Sequence, residues 1–279
     1  MSSKGTGRGF LAAALIAAFS AVAALPASAQ QQSAPANRPA QTAPAPATNA
    51  PVKSPMIIDA NTRKCAGAVC LAYVSTSSSQ VNDDAEKGLT ALQDVLTKKT
   101  AVHPEAVVAL NIEQADLSVF NFIYWPVTAN AQPLSDNARR KVQTYINRGG
   151  VILFDTMGDT GNDALRRILG DINVRPLANL DKDHTLKHAF YRVGSLSGSN
   201  DYNGVWVESP GTGGAENVTS IIVGNNNWAG AWAGRTLPKD SRERELALRS
   251  GVNIFLYSLA GDFKSDPVQK TLEKLGKTP

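Results

Sequence analysis

The sequence predicts an α/β fold: a flavodoxin-like, doubly wound, mostly parallel sheet with helices on both faces. Three observations predict it. Runs such as FIYWPV and VILFD are short and wholly apolar, as strands covered on both faces require. Segments with apolar residues at helical spacing separate these runs. Between Phe122 and Asp155 the order is strand, helix, strand, which demands a parallel pair joined by a right-handed crossover.

The elements follow in order. VCLAYVS, Val69 to Ser75, is a buried strand closed by a serine-rich turn. DDAEKGLTALQDVLTKK then sets Leu89, Leu92, Val95 and Leu96 on one helical face, with Asp83 and Glu86 spaced as a capping box. AVVAL at 106–110 reads as the second strand and FNFIYWPV as the third. In LSDNARRKVQTYINRGG the apolar face is Leu134, Ala138, Val142, Tyr145 and Ile146. Ser135 is the expected N-cap, Asp136 suits the first turn, and Gly149 suits a left-handed stop. VILFD, Val151 to Asp155, is the fourth strand.

Beyond it, NDALRRILG gives a helical face of Leu165, Ile168 and Leu169. HAFYRV and VWVE read as short strands, and TSIIVGN, Thr219 to Asn225, as a buried one. A helix is expected from Arg242 to Leu259 with Gly261 as its stop, and Asp266 and Pro267 open a last short helix ended by Gly276. The chain has no internal repeat.

Residues 1–29 combine Lys4 and Arg8, an apolar run from Phe10 to Leu25, and Ala27-Ser28-Ala29, the three-part pattern of a cleaved signal peptide. Its apolar core is short for a bilayer span, so no stable membrane span is expected after cleavage, and the protein is expected to be exported, periplasmic or secreted. Residues 30–55 are rich in Pro, Ala and Gln and read as a disordered linker; residues 56–279 form a single domain. The net charge of +4 comes from Lys4, Arg8, Arg38 and Lys53, since no acidic residue precedes Asp59. With acidic and basic side chains balanced in the domain, a nucleic-acid partner is not expected.

Cys65 and Cys70, the only two cysteines, are expected to pair as a disulfide in an oxidising compartment. A metal site would need further ligands, and a thiol nucleophile would need a neighbouring base. The strand-to-helix turn VSTSSSQ has no glycine, which excludes a dinucleotide fingerprint and a P-loop, and GTGG at 211–214 reads as a loop. GSLSG at 194–198 places Leu196 where a serine elbow needs serine. Asp155, Asp159 and Asp163 could offer oxygen ligands, but their spacing does not match an EF-hand and Asp163 suits a cap for the helix that follows. His184 and His188 are four apart, as paired zinc ligands are, but no HExxH glutamate accompanies them and a strand over HAFYRV would separate them. No metal or cofactor is therefore expected.

Ligands in such sheets bind at the carboxyl ends of the strands. Three loops are expected to meet there and to form a ligand crevice of Trp125, Thr128, Asp155, Thr156, Asp159, Asn225, Asn227, Trp228 and Trp232. Trp228 and Trp232 are the preferred ligand platforms, whereas Trp125 and Trp206 are expected to pack in the core. The expected partner is a small polar ligand, a glycan or an envelope protein. A cysteine-independent hydrolase using Asp155 or Asp159 is the alternative, and a structural assembly domain the second alternative.

LAYVSTSSSQVNDDAEKGLTALQDVLTKKT, FNFIYWPVTANAQPLSDNARRKVQTYINRGGVILFD, VWVE, IIVGNNNWAGAWAG and ELALRSGVNIFLYSLAGDFKSD together resemble the bacterial domain of unknown function 4159 family, and YWPV followed by QPLS and GGVILFD is the most specific part. The resemblance implies a class I glutamine amidotransferase-like fold and no established reaction. In amidotransferases of that class a cysteine nucleophile sits on the turn after the strand corresponding to VILFD, where this chain has Asp155-Thr156-Met157. The chain also departs from the family pattern at Asn227, Met157 and Gly158.

Overall fold

The structure, a computed structural model, describes residues 60–157, 161–200, 204–209 and 219–264. The expected signal peptide, the linker, Asp159, the GTGG loop and the last short helix lie outside the described residues.

Helix α1 (Ala60–Cys65) leads into β1 (Cys70–Val74), α2 (Ser79–Lys99), β2 (Ala106–Leu110) and β3 (Phe122–Pro126). α3 (Asp136–Asn147), β4 (Val151–Asp155) and α4 (Gly161–Leu169) follow, then β5 (Leu177–Asn179), β6 (Val205–Glu208) and β7 (Ile221–Gly224). α5 (Trp228–Ala233) and α6 (Arg242–Lys264) complete the described part. Cys65 and Cys70 are joined by a disulfide that ties α1 to β1.

The seven strands lie in the order β2-β1-β3-β4-β7-β6-β5. The first five run parallel and follow the flavodoxin-like order, with β7 as the fifth strand, while β6 and β5 extend the sheet antiparallel. Because successive side chains point to opposite faces, each apolar strand feeds two cores. Ile123, Trp125, Ile152 and Phe154 pack with α3 and α4. Phe122, Tyr124, Val151 and Leu153 pack with α2, α5 and α6. That double coverage is why these strands carry no polar alternate.

Local chemistry sets the helix ends. Ser135 Oγ accepts from the Ala138 N–H at 3.1 Å, and Gly149 takes φ 89°, both as expected. α2 instead begins a turn before the expected capping box: Ser78 is its N-cap, accepting from Val81 N–H, so Asp83 lies inside the helix and pairs with Lys87 and Arg235. Gly261 does not stop α6, which runs to Lys264.

HAFYRV is not a strand. The backbone N–H groups of Phe190 and Tyr191 donate to Asn253 Oδ1, at 3.2 and 2.7 Å, and Asn253 Nδ2 donates to the carbonyls of Leu186 and Tyr191. One buried amide thus takes the hydrogen bonds a neighbouring strand would have supplied. The edge strand β5 was not expected, since three residues carry too little pattern to be read. Trp206, expected in the core, is 40% exposed on β6, while its neighbours Val205 and Val207 face the α6 side.

Candidate functional site

The strand order reverses between β1 and β3, and at their carboxyl ends lies a cleft of about 420 Å³. Ser75, Thr76 and Ser77 form one wall, Thr128, Asn130 and Gln132 the other, over a floor that includes Trp125 and Ile168. Both walls are held. Thr76 N–H donates to Asn82 Oδ1 at 2.8 Å, Asn82 Nδ2 returns a bond to the Thr76 carbonyl at 2.9 Å, and Ser78 caps the helix beginning just beyond. Across the cleft, Arg167 donates to the Ala129 carbonyl at 2.7 Å, and Glu113 accepts from the Ser135 N–H and hydroxyl. Glu113 is the one carboxylate among the described lining residues, which include no cationic side chain.

Asp155 sits on the other face of the sheet. It follows Phe154, so the pleat turns its side chain toward α5 and away from the Trp125 side. Its Oδ2 accepts from the Trp228 N–H at 2.7 Å and from the Tyr124 hydroxyl at 3.0 Å, and its Oδ1 accepts from the Asn227 N–H at 3.1 Å. The carboxylate therefore caps the amino end of α5 from within the core. Burial pushes its pKa up, and the hydrogen bonds from Trp228, Tyr124, Asn227 and the Met157 backbone oppose the rise, leaving it at about 6. Burial and the same carboxylate drive the Tyr124 hydroxyl well above its ordinary value.

Among the described residues two non-glycines have positive φ, Met157 at 47° and Asn227 at 45°, and they flank Asp155 from either side. Asn tolerates the left-handed region, and here its own Oδ1 caps Gly230 N–H. Methionine has no such compensation, so the turn after β4 holds a strained residue, a cost of order 1–3 kcal/mol. Thr156 is anchored beside it, its N–H donating to the Gly224 carbonyl at 2.8 Å.

The expected crevice thus separates. Trp125 and Thr128 line the cleft, Trp125 through an edge only, since it is buried and packs on Phe154 with ring centroids 5.2 Å apart. Asp155 and Thr156 are buried away from it, with 0% and 1% exposure. Asn225 and Asn227 are half-buried beside α5. Trp228 and Trp232 are corrected from ligand platforms to core: both are fully buried, their indole N–H groups donating to the carbonyls of Leu196 and Ala247. Their i, i+4 spacing does give one shared face, and that face is turned inward because α5 packs directly on α2, with Gly88 against Ala229.

Asp163 is exposed on α4 near Arg166. His184 Nδ1 accepts from the Leu186 N–H, and His188 Nε2 faces the Lys182 carbonyl. Among the described residues no group of three or more His, Cys, Asp or Glu is placed to hold a metal ion, and no helix is long and apolar enough to cross a membrane.

Sequence reasoning missed Tyr124. The signal was present in the register: Tyr124 pairs with Leu153, so Asp155, two residues on, shares its face.

A family model described as Domain of unknown function (DUF4159) matches residues 70–259. No curated protein matches the chain.

Proposed function

The chain belongs to that family of domains of unknown function, and from that premise we propose that its folded part is a binding module of the bacterial cell envelope, exported by the amino-terminal signal and holding an uncharged polar ligand in the β1/β3 cleft. The cleft carries the reading. Hydroxyl and amide groups from Ser75, Ser77, Thr128, Asn130 and Gln132 surround an apolar floor, the mixture that recognises a sugar ring. With one carboxylate and no cation among its described lining residues, it offers an anionic ligand no counter-charge.

The fold is read as class I glutamine amidotransferase-like. Support comes from the parallel strand order and from the left-handed turn that follows β4. In this chain the residue on that turn is Met157, whose thioether has no proton to lose and cannot serve as the acyl-transfer nucleophile. Binding without covalent chemistry at that position is the consequence.

A panel of neutral envelope oligosaccharides screened by thermal shift and followed by calorimetry tests the reading. Saturable binding to the wild type, abolished by Ser77→Trp, is expected, because Ser77 is exposed in the cleft wall and tryptophan there fills the space without entering the core. Binding that survives Ser77→Trp removes the cleft from the reading. Export is tested separately: the envelope form of the protein should begin at Gln30.

A further inference from the structure

A second groove of about 340 Å³ lies at the opposite end of the sheet, beneath the amino ends of β3 and β4 and between α3 and the short helical turn Leu117–Val119. Among its described lining residues the cations are Arg140, Lys141 and Arg148, against a single carboxylate, Asp116. Asp116 is already engaged, accepting from the Ser118 N–H at 3.0 Å. Neither Arg140 nor Arg148 has an ion pair among the described residues, whereas Arg139, which does not line this groove, is paired with both Asp136 and Asp171.

We propose that this groove binds a linear anion carrying at least two carboxylate, sulfate or phosphate groups. Arg140 lies on α3 and Arg148 is its C-cap, eight residues on, so their backbone positions are about 12 Å apart along the helix axis at 1.5 Å per residue. That spacing suits an extended ligand with repeated charge better than a lone oxyanion. Thr144 and the half-buried Lys141 lie between them. Lys141 gives one of its three N–H bonds to the Ala115 carbonyl at 2.9 Å and keeps donors for a ligand. Burial lowers its pKa, while Glu113 and Asp116 act to raise it. An anion in the groove acts on the ammonium in the same direction as those carboxylates. Arg148 also suits the carboxyl end of α3 as a helix-dipole partner, a role that leaves its fork of donors free to meet a ligand.

The groove and the proposed sugar cleft are at opposite ends of the strands, and the two readings stand or fall separately. Fluorescence anisotropy with a fluorescein-labelled tetragalacturonate, the full chain, and low ionic strength tests this one. The tetramer should bind saturably, weaken as salt is added, and lose at least about tenfold in affinity in the double variant Arg140→Gln/Arg148→Gln. The control Lys98→Gln/Lys99→Gln removes the same charge from the last turn of α2 and should bind as the wild type does. All these side chains are exposed, and unchanged urea midpoints will show that the variants fold. Absence of saturable binding, or an equal loss in both double variants, overturns the proposal. Inorganic phosphate displacing the tetramer at equal concentration overturns the requirement for a linear, multiply charged ligand.

Discussion

Replacing Asp155 by asparagine measures how two opposed effects balance inside the core. The carboxylate receives N–H groups on both oxygens, from Asn227 on one and Trp228 on the other, with the Tyr124 hydroxyl sharing the second. Asparagine offers one oxygen and one amide nitrogen, so whichever way it turns a buried N–H meets another donor. The expected cost is about 1–3 kcal/mol. pH then separates the terms. The folded-state pKa, about 6, stands above the ordinary 3.8, so the unfolded chain releases this proton while the folded one retains it. Stability from this group is fully present below about 3.8 and is lost as pH rises through about 6, by on the order of 3 kcal/mol. The asparagine variant has no such loss. Urea denaturation of both proteins at intervals from pH 4 to pH 8 should therefore show the variant deficit largest in acid and shrinking, or reversing, by pH 7. A deficit that grows toward neutral pH would refute the reasoning, because it would mean that the helix amides and Tyr124 stabilise the ionised carboxylate by more than burial penalises it.

Other perturbations test the packing. Gly88→Ala brings a Cβ to 2.5 Å from the Ala229 carbonyl oxygen, so it should destabilise by about 1–3 kcal/mol, despite alanine's better helix propensity, in urea titrations. Asn253→Ala removes the four bonds that hold residues 186–191, and hydrogen exchange should find the Phe190 and Tyr191 amides deprotected. Trp232→Ala, in the core, should cost about 3–5 kcal/mol, while Trp206→Ala on the exposed side of β6 should stay near the ~1 kcal/mol typical of point mutants. The Cys65–Cys70 bond closes only a short loop, so its reduction should cost about 2 kcal/mol in a calorimetric melt with reductant.

The parallel core was legible because its signals are local. FIYWPV, Ser135, Gly149 and VILFD each specify their own geometry within a few residues, and together they dictate a crossover. What was illegible depends on partners far along the chain. HAFYRV has the composition of a strand, and only Asn253, more than sixty residues later, decides that its backbone bonds go elsewhere. The site was misassembled for a related reason. The loops after β3, β4 and β7 do gather at one end of the sheet, but a shared end is not a shared face. Trp228 and Trp232 have the residue type and spacing of a binding platform, and no feature of NNNWAGAWAG discloses that Gly88 lets α2 approach closely enough to seal them.

The alternation of the pleat has an evolutionary consequence. Trp125 and Asp155 belong to neighbouring strands, yet a full thickness of sheet separates the surface offered to a ligand from the network that secures α5. Substitutions on the two sides have no shared partners and should act additively. A lineage could exchange the groups along Ser75–Ser77 and Thr128–Gln132 to follow a changing ligand while leaving Tyr124, Asp155 and Trp228 undisturbed, so that recognition drifts and the scaffold stays still.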